Sequence, residues 1–180
     1  MSRKPVHADA ELLLRLYEIR RDPELRRARA WFLTKFKAKS WDEIGKKYLS
    51  HTDEDRWFRM TISYWEMVAT LVVRGVLHDE LFYEHTGEDV VTWERCKPWI
   101  AGARAAIRPT YLHNFEAVVA GHVEFRNKLN AAAAKKAAKQ AKKAKKAARK
   151  AKAAPAKKQA PAAPAKKQAG AARKAGAVQR

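Results

Sequence analysis

The sequence has few of the residues that build disulfide-linked, phosphate-loop or membrane-spanning proteins. Cys96 is the only cysteine, which excludes an intramolecular disulfide. The seven glycines are scattered, so no glycine-rich phosphate loop is formed. The longest strongly apolar run without charge, Met67–Val73, is far shorter than the roughly 20 residues that a membrane helix needs. Because no N-terminal apolar segment has the form of a signal peptide, we expect a cytoplasmic protein.

Acidic residues are missing from the C-terminal part of the chain. Residues 131–180 contain 17 of the 39 basic residues and no acid, whereas residues 1–130 contain all 19 acids. Most of the formal charge of +20 therefore belongs to this tail. The tail also lacks Leu, Ile, Phe, Trp, Tyr, Met and Cys, so it has almost nothing to bury. We divide the chain into an N-terminal arm (1–8), a helical domain (9–130) and a Lys/Ala/Pro-rich cationic tail (131–180).

The helical domain has the apolar spacing of α-helices and no alternating run typical of a strand. The first helix is expected to begin at Asp9. Asp22, Ser40 and Thr52 each precede an amphipathic stretch and are residue types that cap helix N-termini. These signals place three further helices immediately after them.

Glycine and proline mark the remaining boundaries. Gly75 is expected to end the apolar helix that runs from Trp57 to Val73. Pro98 should kink or break a helix over Asp89–Ile107, and Pro109 should begin the last helix of the core. The sequence therefore predicts an all-α fold, an irregular bundle of about six helices with a disordered or partly helical basic C-terminal tail. The packed core should end between about Phe125 and Ala134.

The tail is the clearest functional signal. Alanine and lysine favour helix, but the repulsion between neighbouring lysines should leave the segment 131–154 frayed unless phosphate neutralises it. Beyond it, the sequence 155–160 recurs as 164–169 with two lysines in each copy. Without aromatic residues the tail has no platform for base stacking, so we expect binding to phosphate with little sequence preference. The predicted nucleic-acid-binding residues are Lys135, Lys136, Lys139, Lys142, Lys143, Lys145, Lys146, Arg149, Lys150, Lys152, Lys157, Lys158, Lys166 and Lys167.

Two alternatives concern the basic residues. The tail can instead be a solubilising extension, or it can dock on an acidic protein or on the acidic segment 79–94 of its own chain. A secondary basic patch in the folded part comprises Arg26, Arg27 and Arg29. We favour the view that this patch is the solvated face of an ordinary amphipathic helix, with a shared phosphate site as the other reading.

No motif of catalysis, metal binding or cofactor binding occurs in the chain. The six histidines lack the three or four converging ligands of a metal site, and Cys96 is expected to be a packed thiol. Among the charged residues of the domain, Glu66 gives the clearest indication of a specific contact, because it lies between Trp65 and Met67 in the most apolar helix. A buried carboxylate needs a partner, so we predict a structural ion pair between Glu66 and Arg104.

Three segments of the helical domain, together with Arg104, carry a family resemblance. They are 63–67 (Ser-Tyr-Trp-Glu-Met), 75–81 (Gly-Val-Leu-His-Asp-Glu-Leu) and 93–100 (Trp-Glu-Arg-Cys-Lys-Pro-Trp-Ile). Over about residues 10–128 the chain resembles an uncharacterised group of small bacterial helical domains of unknown function. The resemblance implies an all-α fold, and it supplies no activity and no site residues to carry over. The composition of the tail is similar to that of the lysine–alanine–proline tails of linker histones and bacterial histone-like proteins.

These observations favour a non-enzymatic protein without cofactors that associates with DNA or RNA through its tail. A nucleoid location is expected if the partner is DNA. The alternative is a protein–protein interaction module whose tail solubilises the chain or binds an acidic protein.

Overall fold

The computed structural model describes residues 3–153, with side chains as far as Arg149. Over this range the chain forms helices and no strand, which confirms the predicted all-α fold. The seven helices are α1 (His7–Arg20), α2 (Pro23–Thr34), α3 (Trp41–Lys47), α4 (Asp53–Val73), α5 (Asp79–His85), α6 (Glu88–Ala106) and α7 (His113–Ala153). The chain divides into two units, Met1–Lys136 and Ala137–Arg180, and the bundle belongs to the first.

Helix N-caps lie where the sequence predicts them. The side chain of Asp22 accepts two backbone N–H bonds from the first turn of α2, at 3.0 and 2.9 Å. Ser40 and Thr52 each accept one such bond at the start of α3 and α4, respectively. In a capping box the Glu43 carboxylate would accept the backbone N–H of Ser40. It instead accepts the backbone N–H of Lys39 at 2.6 Å. Side-chain caps therefore define three of the helix starts.

Other boundaries differ from the sequence pattern. Helix α4 ends before Gly75, as predicted, and this glycine adopts φ +69°. Helix α6 continues through Pro98 as one helix, so the predicted break is absent. The prediction that the last core helix begins at Pro109 is wrong. Residues 109–112 form a turn in which Leu112 has φ +54° and becomes buried, and α7 begins only at His113.

The hydrophobic core is centred on α4. Trp65 and Val68 of this helix are each 1% exposed, and α4 packs most extensively against α2. Four of the six tryptophans are buried and the other two are partly buried against the core. Along α7 burial ends at Phe125, which is half-buried, since the side chains of residues 126–136 are all exposed. The predicted end of the packed core is therefore confirmed.

The segment before α1 is tied to the bundle through Asp9. The Arg3 guanidinium donates two hydrogen bonds to the Asp9 carboxylate, at 2.5 and 2.6 Å. The same carboxylate accepts the backbone N–H of Val6 and that of His78, at 2.8 and 2.9 Å. Hydrogen bonding from Arg3, aided by these amides, holds the pKa of Asp9 well below its usual range. The arm and the start of α5 are thus joined by one buried carboxylate.

Candidate nucleic-acid interface

The second unit contains the charged part of α7. Its six described basic side chains are all exposed. At about 100° of rotation per residue, they fall within roughly 160° of the helix circumference. We call this set the cationic face, and it consists of Lys139, Lys142, Lys143, Lys145, Lys146 and Arg149. The opposite side of the same stretch holds only alanine and Gln140.

The cationic face is dense in charge and has no acidic neighbour in sequence. From Lys139 to Arg149 the helix rises about 15 Å, a length over which duplex DNA carries about nine phosphates. Glu124 is the last acidic residue of the chain, and its carboxylate is bound by Lys128 at 2.7 Å. No carboxylate is therefore available one helical turn away from any residue of the face. The face is a row of six positive charges with no acidic residue in the same stretch of helix.

The other predicted tail residues have different positions. Lys135 and Lys136 precede the face in α7, at the end of the first unit, and their side chains are exposed. Lys150 and Lys152 belong to α7, but side chains are described only as far as Arg149. Four further residues lie outside the described part of the chain, namely Lys157, Lys158, Lys166 and Lys167.

The predicted secondary patch of Arg26, Arg27 and Arg29 does not form one free surface. Arg27 binds Glu24 at 3.0 Å. Arg29 binds Glu88 through its Nε at 2.6 Å and also through a terminal nitrogen. Burial would raise the pKa of Glu88, but the bonds from Arg29 and from Arg20 outweigh it and lower that pKa. Of these three arginines, only Arg26 is exposed and has no carboxylate partner in the described part of the chain, so the three have separate roles.

The predicted ion pair between Glu66 and Arg104 is wrong. Glu66 is half-buried, and its carboxylate accepts the backbone N–H of Phe115 at 3.0 Å and the side-chain amide of Asn114 at 3.1 Å. Arg104 instead binds Glu116 at 2.7 Å. Because α7 begins at His113, its first turn presents unpaired amides to α4, and a carboxylate satisfies them. Glu66 is a cap supplied by a neighbouring helix.

A buried pair between α6 and α7 has no signal in the sequence. Asp89 and His122 are both fully buried, and Asp89 Oδ2 lies 2.7 Å from His122 Nδ1. The ring of Tyr83 stacks on that of His122 with centroids 4.9 Å apart. The second oxygen of Asp89 and the second nitrogen of His122 have no hydrogen-bond partner among the described residues. Since neither side chain reaches solvent, the pair joins two helices rather than offering a reactive group.

Cys96 and His78 both have structural roles. Cys96 is fully buried, its thiol donates to the carbonyl of Thr92, and burial raises its pKa. His78 caps α5, since its Nδ1 accepts the N–H of Leu81 at 3.2 Å. Between residues 3 and 153 no three His, Cys, Asp or Glu side chains converge as metal ligands. Over the same range no helix combines the length and apolarity required to span a bilayer.

Comparisons with known proteins bear on the folded part. No curated protein and no solved structure matches the chain. A family does match, over residues 5–122, which cover nearly all of the helices before the charged part of α7. The resemblance inferred from the sequence over about residues 10–128 is thereby confirmed. The chain belongs to the family described as Domain of unknown function (DUF4760).

Proposed function

We propose that this protein is a non-enzymatic, sequence-tolerant nucleic-acid-associated protein that binds the phosphate backbone through the cationic face of α7. The observation that supports this proposal is the segregation of charge around the helix. Six basic side chains share one side, and alanine and Gln140 occupy the other. A flexible solubilising extension gains nothing from such an arrangement, whereas a helix lying along a polyanion places all its charges against phosphate.

Counterion release supplies the free energy of such binding. Each phosphate neutralised by a lysine or arginine contributes about −0.9 to the slope of log K against log salt on duplex DNA. If six phosphates are engaged, the slope is about −5. The tail carries no aromatic residue on which a base could stack, and alanine side chains offer no hydrogen bonds to base edges. The affinity should therefore depend steeply on salt and weakly on sequence, for DNA and RNA alike. On DNA, the protein would be associated with the nucleoid in the cytoplasm.

The primary test measures binding of the full chain to duplex DNA and RNA of several sequences over a range of salt concentrations by fluorescence anisotropy. Neutralising two residues of the face, K139Q and K146Q together, should reduce the magnitude of the slope by about 1.8. Replacing Arg26, Arg27 and Arg29 with glutamine should change the affinity much less. If replacing those three arginines reduced the affinity more than replacing the two lysines, the basic patch of the folded part would be the main binding site instead of the cationic face. Absence of binding near physiological salt would favour a protein-interaction module with a tail that binds acidic proteins.

A matched variant tests the geometry of the face. This variant combines K139A and K146A with A144K and A148K. It keeps the net charge and the composition of α7 but moves two charges to the opposite side of the helix. If the helix lies along the polyanion, this variant should lose about as much affinity as the K139Q/K146Q protein. Affinity equal to that of the native protein would show that the number of charges decides binding and that the face has no role.

A further inference from the structure

A second positively charged site lies in the folded domain, where α1 meets α2. An open cavity of about 440 Å³ is lined there by five residues, four of which are arginines. Tyr17 and Arg20 come from the last turns of α1, and Arg21 is its C-terminal cap. Arg26 and Arg29 come from α2. We call this site the arginine cavity. It includes Arg26 and Arg29 of the predicted secondary patch.

The arginine cavity has an excess of positive charge. Arg20 and Arg29 share one carboxylate, that of Glu88, which Arg20 contacts at 2.9 Å. Among the described residues, Arg21 and Arg26 bind no carboxylate. Arg26 donates to the carbonyl of Arg21 at 3.4 Å, and the Arg21 guanidinium lies 5.9 Å from the centre of the ring of Tyr17. Four guanidinium groups thus have one carboxylate among them.

The acidic residues nearest in sequence are engaged elsewhere. Asp22 directs its carboxylate to the amides of α2. Glu18 contacts Arg15 at 3.7 Å, and Glu24 binds Arg27 and Arg56. None of these neighbouring carboxylates therefore balances the charge of the cavity.

The deeper arginines are held in position and partly shielded from water. The side chains of Arg20 and Arg29 are 19% and 14% exposed. Arg20 lies over the ring of Trp65 at 5.5 Å, and Arg29 donates to the carbonyl of Arg20 at 2.9 Å. The Nε of Arg20 is buried and has no hydrogen-bond partner among the described residues. The donors of Arg29 are already used by Glu88 and by the carbonyl of Arg20, so the deeper pair contributes positive charge that is fixed in position. The guanidinium groups available to bind an anion are those of Arg21 and Arg26, whose planar donors match two oxygens of one anion.

We propose that the arginine cavity binds a phosphate group. Clustered arginines prefer phosphate and carboxylate because they bind two oxygens at once, and several arginines together favour the anion with more charge and more oxygens. The cavity volume lies within the range of ligand pockets, so it accommodates a phosphate with part of the molecule that carries it. That phosphate is supplied either by a nucleic-acid backbone or by a small phosphorylated molecule. The site shares no residue with the cationic face.

The experiment uses the full-length ¹⁵N-labelled chain and follows the arginine Nε–H and tryptophan Nε1–H signals by NMR. The probes are inorganic phosphate, pyrophosphate and a nucleoside 5′-monophosphate, each added at constant ionic strength. We expect the Arg20 and Trp65 signals to shift and saturate. The variant R21Q/R26Q should weaken this response about tenfold, because it removes two charge-assisted contacts while leaving the pairs with Glu88 intact. R15Q, on the exposed side of α1, is the matched control and should respond like the native protein.

Two further measurements identify the source of the phosphate and separate this site from the tail. A loss of oligonucleotide affinity in R21Q/R26Q, absent in R15Q, assigns the cavity to a nucleic-acid backbone. Unchanged oligonucleotide affinity with a weakened response to the small probes assigns it to a small phosphorylated molecule. K139Q/K146Q should leave the response to the small probes unchanged, so a failure of the cationic face is distinguishable from a failure of the cavity. Absence of a saturating shift with all three probes, or an equal shift in R21Q/R26Q, overturns the proposal.

Discussion

Gly45 and Gly102 both lie inside helices, and replacing each with alanine should change stability in opposite directions. A Cβ added at Gly45 in α3 meets no atom within 4 Å. A Cβ added at Gly102 in α6 would lie 2.8 Å from the Cβ of Trp41 and 3.8 Å from its Cα. Because Trp41 is the first residue of α3, the Cβ of this side chain moves only if the backbone of α3 moves.

The expected magnitudes follow from two terms. Alanine is about 1 kcal/mol more favourable than glycine inside a helix, so G45A should raise the free energy of unfolding by up to about 1 kcal/mol. At Gly102 the same gain is opposed by an overpacking cost of about 1–3 kcal/mol, because α3 and α6 must separate by several tenths of an ångström. We therefore expect G102A to lower the free energy of unfolding by about 1 kcal/mol.

Urea unfolding followed by tryptophan fluorescence is a suitable assay, because all six tryptophans lie in the helical domain. A change of 1 kcal/mol should move the midpoint by about 0.5 M with little change in the slope m. G45A is the control for helix propensity. If G102A stabilised the protein as much as G45A, the close packing of α3 against α6 at Trp41 would be refuted.

Three further predictions concern ionisable groups. E88Q leaves two guanidinium groups without their carboxylate and should lower the free energy of unfolding by about 3 kcal/mol in urea. Because the pKa of Glu88 is lowered by folding, its contribution should be present above about pH 5 and lost as the pH falls, and this loss should be absent in E88Q. D9N should accelerate amide hydrogen exchange at Val6 and His78, whose N–H groups this carboxylate accepts, and unchanged exchange at both would contradict its role. Burial raises the pKa of Tyr64 and that of Tyr83 to about 12 and also raises the pKa of Tyr111, so an absorbance titration should detect three late tyrosines in the native protein. Their contribution to stability is complete below about pH 10 and is lost as the pH rises further.

The sequence predicted features that depend on a few neighbouring residues. Asp22, Ser40 and Thr52 cap helices through hydrogen bonds that span two or three positions, so the residue type and the pattern that follows it are enough. Gly75 was recognised as a helix stop for the same reason. The seclusion of Cys96 also followed from its position on an amphipathic stretch.

Features that depend on contacts between residues far apart in the sequence were predicted wrongly or were not predicted. Pro109 is a good helix start locally, but burial of Leu112 in a left-handed conformation delays α7. The later start of α7 decides which groups the Glu66 carboxylate binds. No pattern of neighbouring residues in the sequence indicates these partners. The pair of Asp89 and His122 joins residues 33 positions apart. Only packing of the helices brings such groups together.

The two candidate sites also differ in how clearly the sequence indicates them. The charge of the tail and the residues that carry it are evident from composition, and their spacing indicates a single face once the segment is taken as a helix. The arginine cavity has no such signature, because its residues come from two helices whose relative direction is set by the turn at Asp22. Its two outer members, Arg21 and Arg26, are five positions apart and would not share a face on one continuous helix.

The seclusion of Cys96 has a practical consequence for measuring these sites. Its thiol is enclosed in the core, and it is the only cysteine of the chain. A cysteine introduced at an exposed alanine such as Ala144 would therefore be the sole reactive thiol of the native protein. A fluorophore or spin label could be attached there without first removing the natural cysteine, whose replacement would disturb the packing around α6. Distances from α7 to a labelled oligonucleotide then become measurable in the otherwise unaltered protein.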